Sequence, residues 1–189
     1  MKIVVARYNE DISWLTPYQD LCVIYNKGNE IELPNIPLLN MGREAHTYLH
    51  HIIENYENLD DITIFTQGNP FDHCPNFVEK VKDIVDKGIE SPFVNLSSWV
   101  LQVHKLNCSY WPHHIWPNLV SDLVEFLFGH TIERDIWFGA GAIFAVKKEA
   151  ILEHPLEFYK KAIKTFPQTA YCNGYAYAFE RLWPTIFGQ

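Results

Sequence analysis

The chain predicts an α/β domain with a mainly parallel central sheet flanked by helices. Over the first 90 residues, β-rich runs alternate with segments of helical period, the order expected when parallel strands are joined by crossover helices. The first run, Lys2 to Tyr8, is rich in Val and Ile and alternates poorly between apolar and polar, as a strand covered on both faces does. The chain has 189 residues, is 48% hydrophobic and has no internal repeat or linker, so residues 1–189 read as one domain.

The elements follow in order. After the first strand, Asn9-Glu10-Asp11 can cap a short helix over Ile12-Ser13-Trp14-Leu15. Leu21 to Tyr25 is a second strand, ended by Asn26-Lys27-Gly28, and a connection rich in Pro and Asn runs to Asn40. Residues 42–56 form the clearest helix: Ala45, Tyr48, Leu49, Ile52, Ile53 and Tyr56 fall on one stripe, with Arg43, Thr47 and Glu54 facing away. A β-branched strand covers 62–66. Pro75 opens a helix through Phe77, Val81 and Ile84, and Gly88 ends it. Phe93 to Leu96 suits a further strand and Val120 to Phe128 a helix. Ile136 to Val146 reads as one strand interrupted by Gly139-Ala140-Gly141-Ala142, where small residues mark a bulge or a close approach of ligand or backbone. From Lys147 onward the pattern is mostly helical.

Composition narrows the function classes. The formal net charge is −8 and the Lys and Arg residues are scattered, which argues against a broad nucleic-acid or anionic-membrane footprint. No stretch reaches the roughly 18 apolar residues of a membrane span. The N-terminus enters a strand directly without a signal-peptide pattern, so the expected compartment is cytoplasmic. Cys22, Cys74, Cys108 and Cys172 form no C-x-x-C pair and are expected to be free buried thiols.

The chemistry-bearing segment is Gln67-Gly68-Asn69-Pro70-Phe71-Asp72-His73. It sets polar and ionisable groups at the carboxyl end of a strand, where open α/β sheets bind ligands. Asp72 suits a metal ligand, a base or a helix cap. His73 suits a ligand or a bond to backbone. Arg43 sits at a helix start, where the dipole does not favour a cation; its planar fork fits a phosphate. His46 and His50 are spaced i, i+4 as zinc ligands can be, but Thr47 stands where H-E-x-x-H needs Glu. Glu180, in an aromatic helix, is either a base with a raised pKa or a surface partner of Arg181. Asp135, just before the glycine-rich segment, is either a second candidate base or a loop acid.

The element order resembles the GT-A-type nucleotide-sugar-binding fold, a Rossmann-like architecture. More closely, Val5-Ala6-Arg7-Tyr8-Asn9-Glu10-Asp11, Gly42-Arg43-Glu44-Ala45-His46-Thr47-Tyr48-Leu49, Gln67 to His73 and Gly139-Ala140-Gly141-Ala142-Ile143-Phe144 are similar to the signature blocks of one uncharacterised family. That family is a domain of unknown function regarded as glycosyltransferase-like. The resemblance implies transfer of a sugar from a nucleoside diphosphate sugar to a carbohydrate or other hydroxyl acceptor. It implies a donor site at Arg7, Asn9, Glu10, Arg43, Gln67 and Asn69. The acceptor would lie along Gly139, Gly141, Trp111 and His114, and the catalytic carboxylate would be Asp72, Glu180 or Asp135.

Metal-dependent members of that fold carry Asp-x-Asp at the end of the third strand; this chain has Gln67-Gly68-Asn69. Either Asp72 and His73 hold Mn²⁺ or Mg²⁺, or a cation such as Arg7, Arg43 or Lys27 replaces it. Two rivals stand beside the transferase: a metal-dependent hydrolase using His46, His50, Asp72 and His73, and a non-catalytic sugar-binding module.

Overall fold

The protein, seen in a computed structural model that describes residues 1–103, 119–166 and 173–188, is a six-stranded mixed sheet between layers of helix. Strand β1 (Lys2–Arg7) lies between β2 (Cys22–Asn26) and β4 (Ile62–Gln67), parallel to both, and β3 (Ile36–Pro37) extends the β2 side. Two more strands extend the sheet beyond β4. The last two strands are β8 (Phe144–Lys147), antiparallel to β4, and β5 (Phe93–Asn95), antiparallel to β8. A separate ribbon pairs β6 (Val100–Val103) with β7 (Ile136–Gly139).

Both faces of the central strands are covered, which explains the missing alternation in the sequence. Val4, Ala6 and Phe65 face a core that includes helix α1 (Arg43–Asn55), α3 (Leu119–Phe128), α5 (Leu156–Ile163) and α6 (Asn173–Ile186). Ile3, Val5 and Ile64 face a second core closed by Leu15 and by Phe77, Val81 and Ile84 of α2 (Phe77–Lys87). A five-residue helix, α4 (Lys148–Leu152), follows β8.

Three local expectations need correction. The segment after Asp11 is a 3-10 helix over Ser13–Leu21 that carries Pro17 inside it; Asp11 accepts the Ser13 amide at 2.9 Å. Thr47 does not face solvent: α1 packs against the sheet, α5 and α6, and Thr47 is fully buried. The segment 136–146 is two strands. Gly141 (φ 85°) and Ala142 (φ 51°) turn the chain in left-handed backbone, so β7 joins the ribbon while β8 enters the main sheet. Among the described residues no helix is long and apolar enough to cross a membrane. Cys22 and Cys74 are free thiols, Cys74 buried; Cys108 and Cys172 lie outside the described residues.

The winding reverses at β1. The chain fills the β2 and β3 side first, then crosses through α1 to β4 on the other side, so a crevice opens at the carboxyl ends of β1 and β4. The loops that border it pack backbone to backbone. A Cβ added at Gly28 would lie 1.7 Å from the Tyr8 carbonyl oxygen. Gly28→Ala must therefore push the β1 and β2 loops apart, at a cost of roughly 1–3 kcal/mol or more. Urea unfolding of this variant is expected to show that loss; an unchanged midpoint would mean that the two loops do not depend on each other.

Candidate active site

Two adjoining cavities occupy the crevice. The first, about 190 Å³, is lined by Arg7, Tyr8, Glu10, Lys27, Gly42, Arg43, Glu44 and Gln67, among others. The second, about 310 Å³, shares Arg43, Glu44 and Gln67 with it and adds His73, Trp99, Phe138, Gly141, Tyr177, Glu180 and Arg181. Together they fall in the ~300–1,000 Å³ range of small-molecule sites.

The first cavity is rich in cations. Arg7 ends β1 and is 8% exposed. Its Nε donates to the Glu10 carbonyl at 3.1 Å, and its Nη1 lies 2.9 Å from the Tyr8 carbonyl, 2.8 Å from Asn26 Oδ1 and 3.1 Å from the Asn29 carbonyl. Those bonds make Arg7 first a tie between loops. Lys27 Nζ donates to the carbonyls of Met41, at 2.7 Å, and Arg43. Burial pushes this ammonium down to about 8, with Glu44 acting against the fall. Arg43 follows Gly42 in left-handed backbone, at φ 47° and 59°. Its side chain, 43% exposed, pairs with Glu44 at 3.4 Å and lies 5.2 Å over the Tyr177 ring, so it stands at the junction of the two cavities. Glu10 Oε2 accepts the Tyr8 amide at 2.6 Å.

The second cavity holds the perturbed acid. Glu180 projects from α6. Its Oε1 accepts the Gly141 amide at 2.6 Å, and its Oε2 lies 3.2 Å from Arg181 Nη1. Burial and the neighbouring Glu44 charge outweigh Arg181, the Gly141 bond and Arg43, and push the Glu180 carboxyl up to about 7. Arg181, buried, also donates to the Tyr177 carbonyl at 2.6 Å and packs 4.9 Å from the Phe138 ring centre. His73 sits against Gly141, with Nδ1 3.3 Å from Gln67 Nε2, and meets Trp99 edge-on.

The crevice thus gathers Arg7, Glu10, Arg43, Gln67, His73, Gly141 and Glu180. The other named residues stand elsewhere. Asn9 is exposed and accepts the Asn29 amide at 2.8 Å, on the β2-loop side. Asn69 bonds Asp72 Oδ2 at 3.2 Å and the Phe71 amide, shaping its own turn, and Asp72 is exposed outside both linings. Asp135 immediately precedes β7 and accepts from Gln102 at 2.6 Å. It is four residues from Gly139, so the strand carries it about 13 Å from that residue. Gly139 borders neither cavity; its missing side chain admits the Asn95 amide, whose Oδ1 would be 1.8 Å from a Cβ there. Trp111 and His114 lie outside the described residues.

Among the described residues no three His, Cys, Asp or Glu side chains converge as a metal-ligating group, and His46, His50, Asp72 and His73 are all described. His46 and His50 stack on α1 with ring centres 6.3 Å apart. Burial, with Lys27 and His50 behind it, pushes His46 down to about 4. Asp72 faces outward while His73 faces in, because the turn at Pro70 points successive side chains to different sides.

Sequence reasoning did not single out Tyr177, Trp99 or Phe138. Tyr177 and Glu180 were within reach: separated by three positions on one helix, they share a face. Trp99 and Phe138 were not, because their approach depends on the β6–β7 ribbon.

The Glu180 shift has a measurable consequence. Its carboxyl titrates near 4.5 when unfolded and near 7 when folded, so between those values the native state keeps a proton that the unfolded chain has lost. The resulting stability is fully present below pH 4.5 and lost as pH rises through 7. Glu180→Gln fixes the neutral form. It is expected to match wild type at pH 4.5 and to exceed it at pH 8 by on the order of 3 kcal/mol in denaturant unfolding. Parallel pH profiles for the two proteins would show that Glu180 is not perturbed.

No curated protein and no solved structure matches the chain. One family does, over residues 3–189, and the chain belongs to it: the family described as protein of unknown function, DUF3431.

Proposed function

We propose that the protein is a glycosyltransferase that moves a sugar from a nucleoside diphosphate sugar to a carbohydrate or other hydroxyl acceptor, on a GT-A-like domain. The observation that carries this reading is Glu180, a carboxyl held at about 7 in the wall of a cavity that opens onto a second, cationic one. General bases are effective when their pKa lies near the working pH.

Inverting transfer needs that pairing. The acceptor hydroxyl gives its proton to Glu180 as its oxygen bonds the sugar's anomeric carbon. The bond from that carbon to the diphosphate breaks, and the diphosphate leaves with the electron pair. Arg43, at the junction, and Lys27 face the growing negative charge. Tyr8, 48% exposed at the first cavity, offers a ring face to a nucleobase, and Tyr177 and Trp99 offer faces to a sugar ring. Among the described residues no three metal-ligating side chains converge to support the hydrolase reading.

Nucleoside diphosphate release from a panel of nucleotide sugars, with and without simple glycoside acceptors, tests the proposal. Release is expected to depend on one donor type and to rise with acceptor. Glu180→Gln should lower kcat by about 10²–10⁴-fold while leaving donor affinity in place. The kcat profile should fall about tenfold per pH unit below 7, where the base is protonated. Sugar binding without any turnover would instead identify a binding module, and wild-type turnover by Glu180→Gln would remove Glu180 from the chemistry.

A further inference from the structure

We propose that the donor diphosphate is held without a divalent metal, by the Arg43 guanidinium and the Lys27 ammonium across the first cavity. The inference rests on the transferase reading. It starts from what the end of β4 presents to the crevice. Gln67 offers an amide and Gly68 offers no side chain, so no carboxylate projects from the strand end. Asp72, the next acid along the chain, is exposed and lines neither cavity.

Two carboxylates do line the first cavity, and each already meets a donor. Glu10 Oε2 takes the Tyr8 amide at 2.6 Å, and Glu44 Oε2 lies 3.4 Å from Arg43 Nε. Three cationic side chains, Arg7, Lys27 and Arg43, line the same cavity, so a divalent ion would enter against them while a diphosphate would be drawn in. The backbone points the same way. Helix α1 starts at this wall with 13 residues and no side chain capping its first amides, which leaves its positive end toward the cavity. Arg43 gives a planar fork able to span two phosphate oxygens, and Lys27 gives a point charge held in place by the Met41 and Arg43 carbonyls.

Titration calorimetry with uridine, guanosine, adenosine and cytidine diphosphates tests this, in EDTA and in Mn²⁺, on wild type, Arg43→Met and Lys27→Met. One diphosphate is expected to bind with similar affinity in both buffers, and Arg43→Met should weaken it about 10–100-fold in EDTA. Arg43 is the cleaner position, since its side chain is partly exposed, whereas Lys27 also ties the turn before α1; thermal melts of both variants separate lost binding from lost folding. Binding that collapses in EDTA would overturn the proposal, leave the transferase reading standing and assign a metal to Glu10 and Glu44. Wild-type affinity in a folded Arg43→Met would overturn the clamp. Failure of every diphosphate to bind in either buffer would overturn this proposal and the transferase reading together.

Discussion

The crevice depends on one buried cation. Arg7 ends the central strand and spends its Nε and Nη1 donors on the β1 loop and the β2 loop at once. A buried guanidinium is costly unless it is hydrogen-bonded, and here the partners are carbonyls and an amide oxygen rather than a carboxylate. Those neutral partners fix the geometry of Arg7 beside the cavity. Asn26 completes the tie by accepting from Arg7 and donating to the Asn29 carbonyl at 2.9 Å. Gly28 is required because the loop so drawn in touches the Tyr8 backbone. The first cavity therefore has a rigid wall on the β1–β2 side.

Glu44 couples the two cavities. Its carboxylate pairs with Arg43, helps keep Lys27 protonated against burial, and raises Glu180. A ligand anion that draws Arg43 away from Glu44 would leave that carboxylate less compensated. The Glu180 carboxyl, facing the same charge, would then hold its proton more firmly. In the transferase reading, an occupied donor cavity thus strengthens the base that waits in the acceptor cavity. The charges act as a network, so the effect of one substitution should not add simply to that of another.

The fold was legible where local pattern and burial agree. The Ile-Val run of β1 and the apolar stripe from Ala45 to Ile52 each state their environment directly. Thr47 was misread because a helix covered on more than one side buries a position outside the main stripe. The 136–146 segment was misread because periodicity cannot show two strands parting at a left-handed turn. At the site, Arg7 and Gln67 were legible from strand-end logic, Arg43 from a cation at a helix start, and Glu180 from a carboxylate in aromatic company. Asp72 was favoured by its motif, yet a one-residue change of direction at the turn sends it to solvent and His73 to the cavity. Asp135 was favoured by proximity in sequence to Gly139, and extended backbone carries it away. Direction along an irregular turn is set by tertiary contacts, so composition at that loop could not reveal it.

Two non-glycine residues in left-handed backbone border this chemistry, Arg43 at φ 47° and Ala142 at φ 51°. Such residues cost of order 1–3 kcal/mol each and persist only where the surroundings determine them. Both are held in the same manner, by a donor on the residue's own carbonyl. Lys27 Nζ binds the Arg43 oxygen, and the fully buried Tyr48 hydroxyl donates to the Ala142 oxygen at 3.1 Å. Tyr48 belongs to α1, the helix that Arg43 begins. Through Tyr48, α1 holds the turn that aims the Gly141 amide at Glu180, while its own first residue places the Arg43 guanidinium at the junction. The cation at the start of α1 and the base on α6 are tied through Tyr48 and the Gly141–Ala142 turn. That is the physical reason to treat the two cavities as one site, rather than as two depressions that share a rim.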